Sequence, residues 1–279
     1  MKKLFELLGT VLVGRYWSLT KMEIASKLKS GGGMKSLIVT GGGAGLGRTI
    51  AEQASSVGYR VGILDVNEEL AIKTSSSIEN SVPLVASVTS YDEISDALAT
   101  FGESPDVWIN NAGVVRFAPL LDLSIADWKS VVDVNLTGTF LCSSLAAKAM
   151  IDKGGGSIVN ITSINGISAG TNSGAYGSTK SAISLLTQQM SLEWGKEGIR
   201  VNAISPGFID AGMSADHYVD PVEREKREGM VPIQKIGEAQ DIANVVMFLL
   251  SEESSYIHGE NIVVDGGVMN SVLANIGRN

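Results

Sequence analysis

Thr40-Gly41-Gly42-Gly43-Ala44-Gly45-Leu46-Gly47 is the stretch on which the fold of this chain turns. An apolar run, Ser36–Thr40, leads into it, and a helical pattern, Gly45–Val57, leads out of it. Glycines at such a junction have three physical uses. One permits a tight turn, one lets the backbone approach a pyrophosphate, and one lets the helix pack close to the strand. The first amides of a helix lack partners within it and carry the positive end of its dipole, which suits phosphate oxygens. Glycine-rich stretches also make ordinary turns. The position between a strand and a helix is what favours the phosphate cradle.

On the C-terminal side of this stretch, apolar runs and helical patterns alternate. After the first pair, strands are expected at Arg60–Asp65, Val82–Ala86, Val107–Asn110, Ser157–Ile161, Ile199–Ile204 and Ile262–Val264. Helices are expected at about Asn67–Glu79, Tyr91–Phe101, Ser124–Met150, Gly174–Trp194, Pro221–Glu228 and Ala239–Leu250. Seven strands alternating with helices predict an α/β fold, a doubly wound (Rossmann) seven-stranded parallel sheet with helices on both faces. No Pro/Gly-rich linker divides residues 34–279, so they form one domain.

The first 33 residues differ. Met1–Gly14 is apolar behind two lysines, but Glu6 interrupts it and no small-residue cleavage site follows cleanly. It is too short to span a bilayer. Thr20 and Glu23 have capping-box spacing ahead of a short helical pattern to Lys29, and Ser30-Gly31-Gly32-Gly33 has a flexible-linker composition. The expectation is a globular unit starting at Met34, with residues 1–33 an expression tag or a fused segment.

Composition narrows the function. With 22 Lys+Arg against 30 Asp+Glu the net charge is −8, so a basic face for nucleic acid is not expected. Hydrophobic residues at 44% and charged residues at 19% describe neither a membrane protein nor a disordered chain. Cys142 alone rules out an internal disulfide and a multi-cysteine zinc site, and His217 and His258 are too few for a histidine-rich metal site. A cytoplasmic, metal-free protein fits these counts.

Asp65 closes the second strand about 20 residues past the glycine loop. A carboxylate there accepts hydrogen bonds from the adenosine ribose hydroxyls and repels a 2′-phosphate. Neither Ala44 nor Val66 is basic, where a 2′-phosphate would call for Arg or Lys. NAD is therefore favoured over NADP. The bland alternative makes Asp65 a solvated strand-end residue or a helix cap. Further on, Tyr176-Gly177-Ser178-Thr179-Lys180 sets a phenol and an ammonium on one helix face. A nearby cation favours phenolate, which makes Tyr176 a usable acid or base for an alcohol or carbonyl. That spacing alone is common on ordinary helices.

The set Thr40–Gly47, Asn110-Asn111-Ala112-Gly113, Asn135, Ser163, Tyr176 with Lys180, and Pro206-Gly207 keeps one order at consistent spacings. It resembles the short-chain dehydrogenase/reductase family over residues 34 to about 268. The resemblance implies a hydride transfer between NAD(H) and a secondary alcohol or ketone. It makes Tyr176 the proton carrier, Ser163 the partner of the substrate oxygen, Lys180 a ribose ligand, and Asn135 the holder of a relay water. It assigns the cofactor to Gly41, Gly43, Gly45, Leu46, Gly47, Asp65, Val66, Ser87, Val88, Asn111, Ala112, Gly113, Pro206, Gly207 and Ile209, with Tyr176 and Lys180. It also implies a homotetramer packed through the two long helices and the last strand. Two departures stand out. Ser87 replaces the usual Asp at the adenine, and Ala211 replaces the usual Thr at the carboxamide. Each bland role is credible singly: Asn135 a satisfied buried amide, Ser163 a strand-end serine, Asn110 and Asn111 turn residues. Holding all of them in register is much less so. The rivals are a 3-oxoacyl-[acyl-carrier-protein] reductase, against which Asp65 speaks, and a non-catalytic dinucleotide-binding or assembly protein, which would not need the retained Tyr176 and Lys180. The substrate wall is expected from Val114–Phe117, Ile164–Thr171 and Phe208–Val231.

Overall fold

The computed structural model describes residues 34–271, so the expected extension at 1–33 and the last eight residues lie outside the described residues. Seven strands form one parallel sheet in the order β3-β2-β1-β4-β5-β6-β9. They are β1 (Ser36–Thr40), β2 (Arg60–Asp65), β3 (Ser81–Val85), β4 (Val107–Asn110), β5 (Gly156–Ile161), β6 (Ile199–Pro206) and β9 (Asn261–Val264). A two-residue parallel ladder, β7 (Ile209–Asp210) with β8 (Gly237–Glu238), was beyond the reach of the sequence pattern. Pro83 sits in β3, an edge strand, where a missing amide is tolerated.

The helices are α1 (Gly45–Ser56), α2 (Glu68–Ser76), α3 (Tyr91–Phe101), α4 (Ile125–Val132), α5 (Gly138–Asp152), α6 (Tyr176–Trp194), α7 (Pro221–Met230) and α8 (Ala239–Leu250). The expected helix Ser124–Met150 is interrupted by a π turn, Asp133–Thr137, between α4 and α5. Each strand's alternation divides the core in two. Leu37, Val39, Ile109 and Val159 face α1 and α8, whose Ile50, Ala54, Ile242 and Val246 cover them. Ile38, Trp108 and Ile158 face the other way, against Phe101 of α3, Met150 of α5 and Met190 of α6. Both faces are thus closed, as a parallel sheet requires. The order reverses at β1 and β4, which opens a crevice beyond their carboxyl ends.

Candidate active site

The crevice is built on the glycine loop. Gly41 and Gly45 adopt φ of 61° and 52°, in the left-handed region that side chains avoid. A side chain at Gly47 would run into the Gly41 carbonyl, and one at Gly43 would come 2.8 Å from Asp65 Oδ2. The loop is fastened to the end of β4. Thr40 Oγ1 accepts from the Asn111 and Ala112 amides, each at 3.0 Å. Asn111 Nδ2 donates to the Thr40 carbonyl at 2.9 Å and the Gly41 carbonyl at 3.2 Å. Nothing in the sequence pattern singled out Thr40 for this role, because the clamp is made across two strands.

Helix α1 begins without a side-chain cap and without an acidic residue in its first turn. It shares this with α5 and α6, whereas the remaining helices are capped. Asn67, Ser90, Ser124 and Asp220 cap α2, α3, α4 and α7, and Glu238 with Asp241 forms a capping box on α8. The leading amides of α1, at Gly45, Leu46 and Gly47, thus meet no capping side chain, and with the positive end of the helix they suit an anion. A side chain on Gly45 would meet Gly212 Cα at 2.7 Å, so the segment after Ala211 crosses directly over this loop. Ala211 brings only a methyl there, packed with Leu46 against the core.

Asp65 is held beside the loop. Its Oδ2 accepts from the Gly43 amide at 3.0 Å and its Oδ1 from the Asn67 amide at 2.9 Å. The helix cap is Asn67, whose Oδ1 accepts from Leu70 N, so capping is not what Asp65 does. Val66 next to it is 72% exposed. At the end of β3 the Ser87 amide donates to Glu93 Oε2 at 2.8 Å, and its hydroxyl pairs with Thr89 Oγ1 at 2.8 Å. Val88 is buried against Gly138, where a Cβ would come 2.8 Å from the valine methyl. Asn110 turns inward, donating to Ser143 Oγ and Asn160 Oδ1, both at 2.7 Å.

Tyr176 opens α6 and shares a face with Lys180, one turn on. Ser163 follows β5; its hydroxyl accepts from the Asn165 amide at 3.1 Å and hydrogen-bonds the Tyr176 side chain. Lys180 is buried, 3% exposed, and its Nζ donates to the Ile161 carbonyl at 2.8 Å. It lies 5.5 Å from the centre of the Tyr176 ring. Fully buried Asn135 sits in the π turn. Its Oδ1 accepts from Val114 N at 2.8 Å, and its Nδ2 donates to Val114 O at 2.9 Å and Thr179 Oγ1 at 3.2 Å. The carboxamide thereby ties the turn after β4 to α6, and the Asn135 backbone carbonyl accepts from Thr139 Oγ1 at 2.7 Å. Gly113 is packed between these groups, with room for a Cβ only 3.3 Å from Asn135 Oδ1 and 3.6 Å from Lys180 Nζ.

The electrostatics differ from the simple expectation. Burial pushes the Tyr176 phenol above its ordinary value, and the Ser163 hydrogen bond pulls it partly back. Burial also drives the Lys180 ammonium down to about 8. For Tyr176 the larger effect is its own burial, not the lowering expected of a neighbouring cation.

Beyond the tyrosine, Pro206 ends β6 and Gly207 follows it, where a Cβ would meet Asp265 Cα at 2.6 Å. Ile209 is buried in β7. Phe208 packs with Tyr218, Val231 and Ile236, and Arg224 joins α7 to Asp210 at 2.6 Å. Ile167 and Met213 are about half exposed over the opening, whereas Phe208 of the expected substrate wall is turned into its own small cluster.

The profile of a family described as enoyl-(acyl carrier protein) reductase matches residues 41–269. The chain is 34% identical to the 3-oxoacyl-[acyl-carrier-protein] reductase of Aquifex aeolicus over 239 residues, covering 83% of this chain and 96% of that one. It is 34% identical to 3beta-hydroxysteroid dehydrogenase 1 of Eggerthella lenta over 244 residues, covering 84% and 93%. A solved 3-oxoacyl-[acyl-carrier protein] reductase with bound NAD from Brucella melitensis superposes with a TM-score of 0.77 at 30% identity, covering 84% of this chain and 90% of that one.

Proposed function

The chain belongs to the short-chain dehydrogenase/reductase family, an oxidoreductase family that binds a nicotinamide dinucleotide, and from that premise we propose that it interconverts a secondary alcohol and a ketone with NAD(H). The observation that carries the proposal is the meeting of Tyr176, Ser163 and Lys180 beyond the carboxyl end of β5. The glycine loop and the uncapped start of α1 fit a pyrophosphate, and Asp65 fits two ribose hydroxyls. When bound, the nicotinamide supplies the hydride acceptor or donor. The chain supplies the rest. Tyr176 moves the proton at the substrate oxygen, and Ser163 holds that oxygen against it. Lys180 binds the nicotinamide ribose, and Asn135 holds the turn and helix that frame them.

Asp65 supports NAD. It stands against the loop with no basic neighbour at Ala44 or Val66. An unscreened carboxylate there repels the extra phosphate of NADP. We read residues 34–279 as this unit, working in the cytoplasm as a homotetramer on a small molecule, and residues 1–33 as a segment joined in front. The test is a panel of cyclohexanol, 2,3-butanediol, gluconate, a 3-hydroxysteroid and a 3-oxoacyl thioester, read by nicotinamide absorbance with both cofactors. Turnover with NAD(H) at a higher kcat/KM than with NADP(H) is expected. Replacing Asp65 by Ala and Val66 by Arg together should reverse that order. Tighter binding of NADPH than NADH by the unaltered protein would overturn the cofactor assignment.

A further inference from the structure

Asn261 opens β9, the edge strand farthest from the glycine loop, and its one side chain joins three segments. Its Oδ1 accepts from Ser205 Oγ at 2.9 Å and lies 3.2 Å from Thr162 Oγ1. Its Nδ2 donates to Ser184 Oγ at 3.0 Å. Ser184 in turn donates to the Lys180 carbonyl at 3.1 Å. These partners are next to the groups already assigned. Thr162 precedes Ser163, Ser205 precedes Pro206-Gly207, and Ser184 lies one turn beyond Lys180.

We propose that Asn261 is a positioning residue for proton and hydride transfer, fixing the catalytic helix α6 against the strand ends that carry Ser163 and the loop beside the nicotinamide. The inference rests on the function proposed above. Its physical basis is the difference between ladders and packed faces. Strands β5, β6 and β9 hold one another in register through backbone bonds, with Ala203 opposite Asn261 and Asn160 opposite Ala203. A helix on a sheet has no such ladder. Apolar contacts are non-directional and permit it to slide by fractions of an ångström, whereas a hydrogen bond fixes distance and angle. Asn261 supplies one directional bond between this corner of the sheet and α6, beside those from Lys180 to Ile161 and from Asn160 to Thr187. Removing the carboxamide does not strand its partners, because Thr162 keeps Ser205 Oγ and the Ile204 carbonyl, both at 2.7 Å. The fold therefore survives the change: α6 keeps its bonds from Asn135 to Thr179 and from Asn160 to Thr187, and loses the one at Ser184, a turn beyond Lys180.

The test uses the full chain and the panel substrate turned over fastest. Asn261→Ala, Ser184→Ala and the double variant are compared for kcat, KM, NADH affinity and urea midpoint, with Tyr176→Phe as control. A misplacement approaching an ångström costs about 10²-fold in rate, so kcat of Asn261→Ala should fall by about 10- to 100-fold. NADH affinity should stay within about twofold, since the phosphate cradle is untouched. Ser184→Ala should also lose turnover, and the double variant should be no worse than Asn261→Ala, because both changes cut one connection. A folded Asn261→Ala with kcat within about twofold of the parent, or losses that multiply in the double variant, would overturn the inference. If Asn261→Ala does not fold, unchanged turnover in Ser184→Ala overturns it equally. Normal turnover in Tyr176→Phe would instead sink the proposed function, which keeps the two failures distinct.

Discussion

Lys180 shows how much a single residue's chemistry depends on the fold. The Tyr-x-x-x-Lys spacing was legible in the sequence, because 3.6-residue periodicity alone places the two on one helix face. Their protonation was not, since burial belongs to the tertiary structure. In the folded chain Lys180 is held near 8 against an ordinary value of 10.5. Between those values the unfolded chain binds a proton that the folded chain does not, so stability must rise with pH across that window. Below about 8 the folded protein carries a buried cation, and the penalty is at its full value. Lys180→Met removes the group from both states. Relative to that variant, the parent should gain roughly 2 kcal/mol between about pH 7.5 and 9.5, measured by urea unfolding. Parallel pH profiles for the two proteins would show that Lys180 is not desolvated as described. The roles of Asp65 and Asn135 were also half legible. Their positions followed from spacing, but the Gly43 amide and the Val114 backbone that hold them are long-range partners.

At the scale of elements, the strands and helices of the sheet were readable because each has a strong period and a buried face. The misses have local causes. Helix α6 begins at Tyr176, after Gly174 at a φ of 57°. The π turn lies in Asp133-Val134-Asn135-Leu136-Thr137, an ordinary helical composition. It coincides with Asn135 reaching Val114 and with Thr139 Oγ1 donating to the Asn135 carbonyl at 2.7 Å, and no short-range pattern reports that. The β7–β8 ladder is two residues long, below any period. The junction of β1 and α1 makes the sharpest prediction at this scale. Gly47→Ala drives a methyl into the Gly41 carbonyl, so the cradle must open. NADH affinity should drop at least about tenfold, read by fluorescence titration, because one lost factor of ten needs only about 1.4 kcal/mol. Unchanged affinity would mean that the loop is not the phosphate site.

Across the whole molecule, the segment from Ile125 to Asp152 is long and apolar enough to cross a membrane, yet half of it is buried inside the fold. Cys142, Leu145, Ala146 and Met150 pack it onto the sheet, which accounts for its composition. The outer faces of the same region are less satisfied. Phe140, Leu185 and Leu192 are exposed on α5 and α6, with Leu192 85% accessible. Val263 on edge strand β9 is 41% accessible. Patches of this kind mark association surfaces, and four copies are expected to bury them. Light scattering should give four times the 29.3 kDa chain mass, with residues 1–33 dispensable. A monomer, or dissociation when those residues are deleted, would contradict this.

The central claim is that the group moving the proton is the Tyr176 hydroxyl, and it is open to one direct measurement. Tyr176→Phe deletes that oxygen and leaves the ring, the helix and the cradle in place. Positioned proton transfer is worth about 10²–10⁴-fold in rate. Steady-state turnover beside stopped-flow NADH binding separates chemistry from affinity. Turnover should fall by at least about 10²-fold with NADH bound as tightly as in the parent. Turnover close to that of the parent on the same substrate would contradict it.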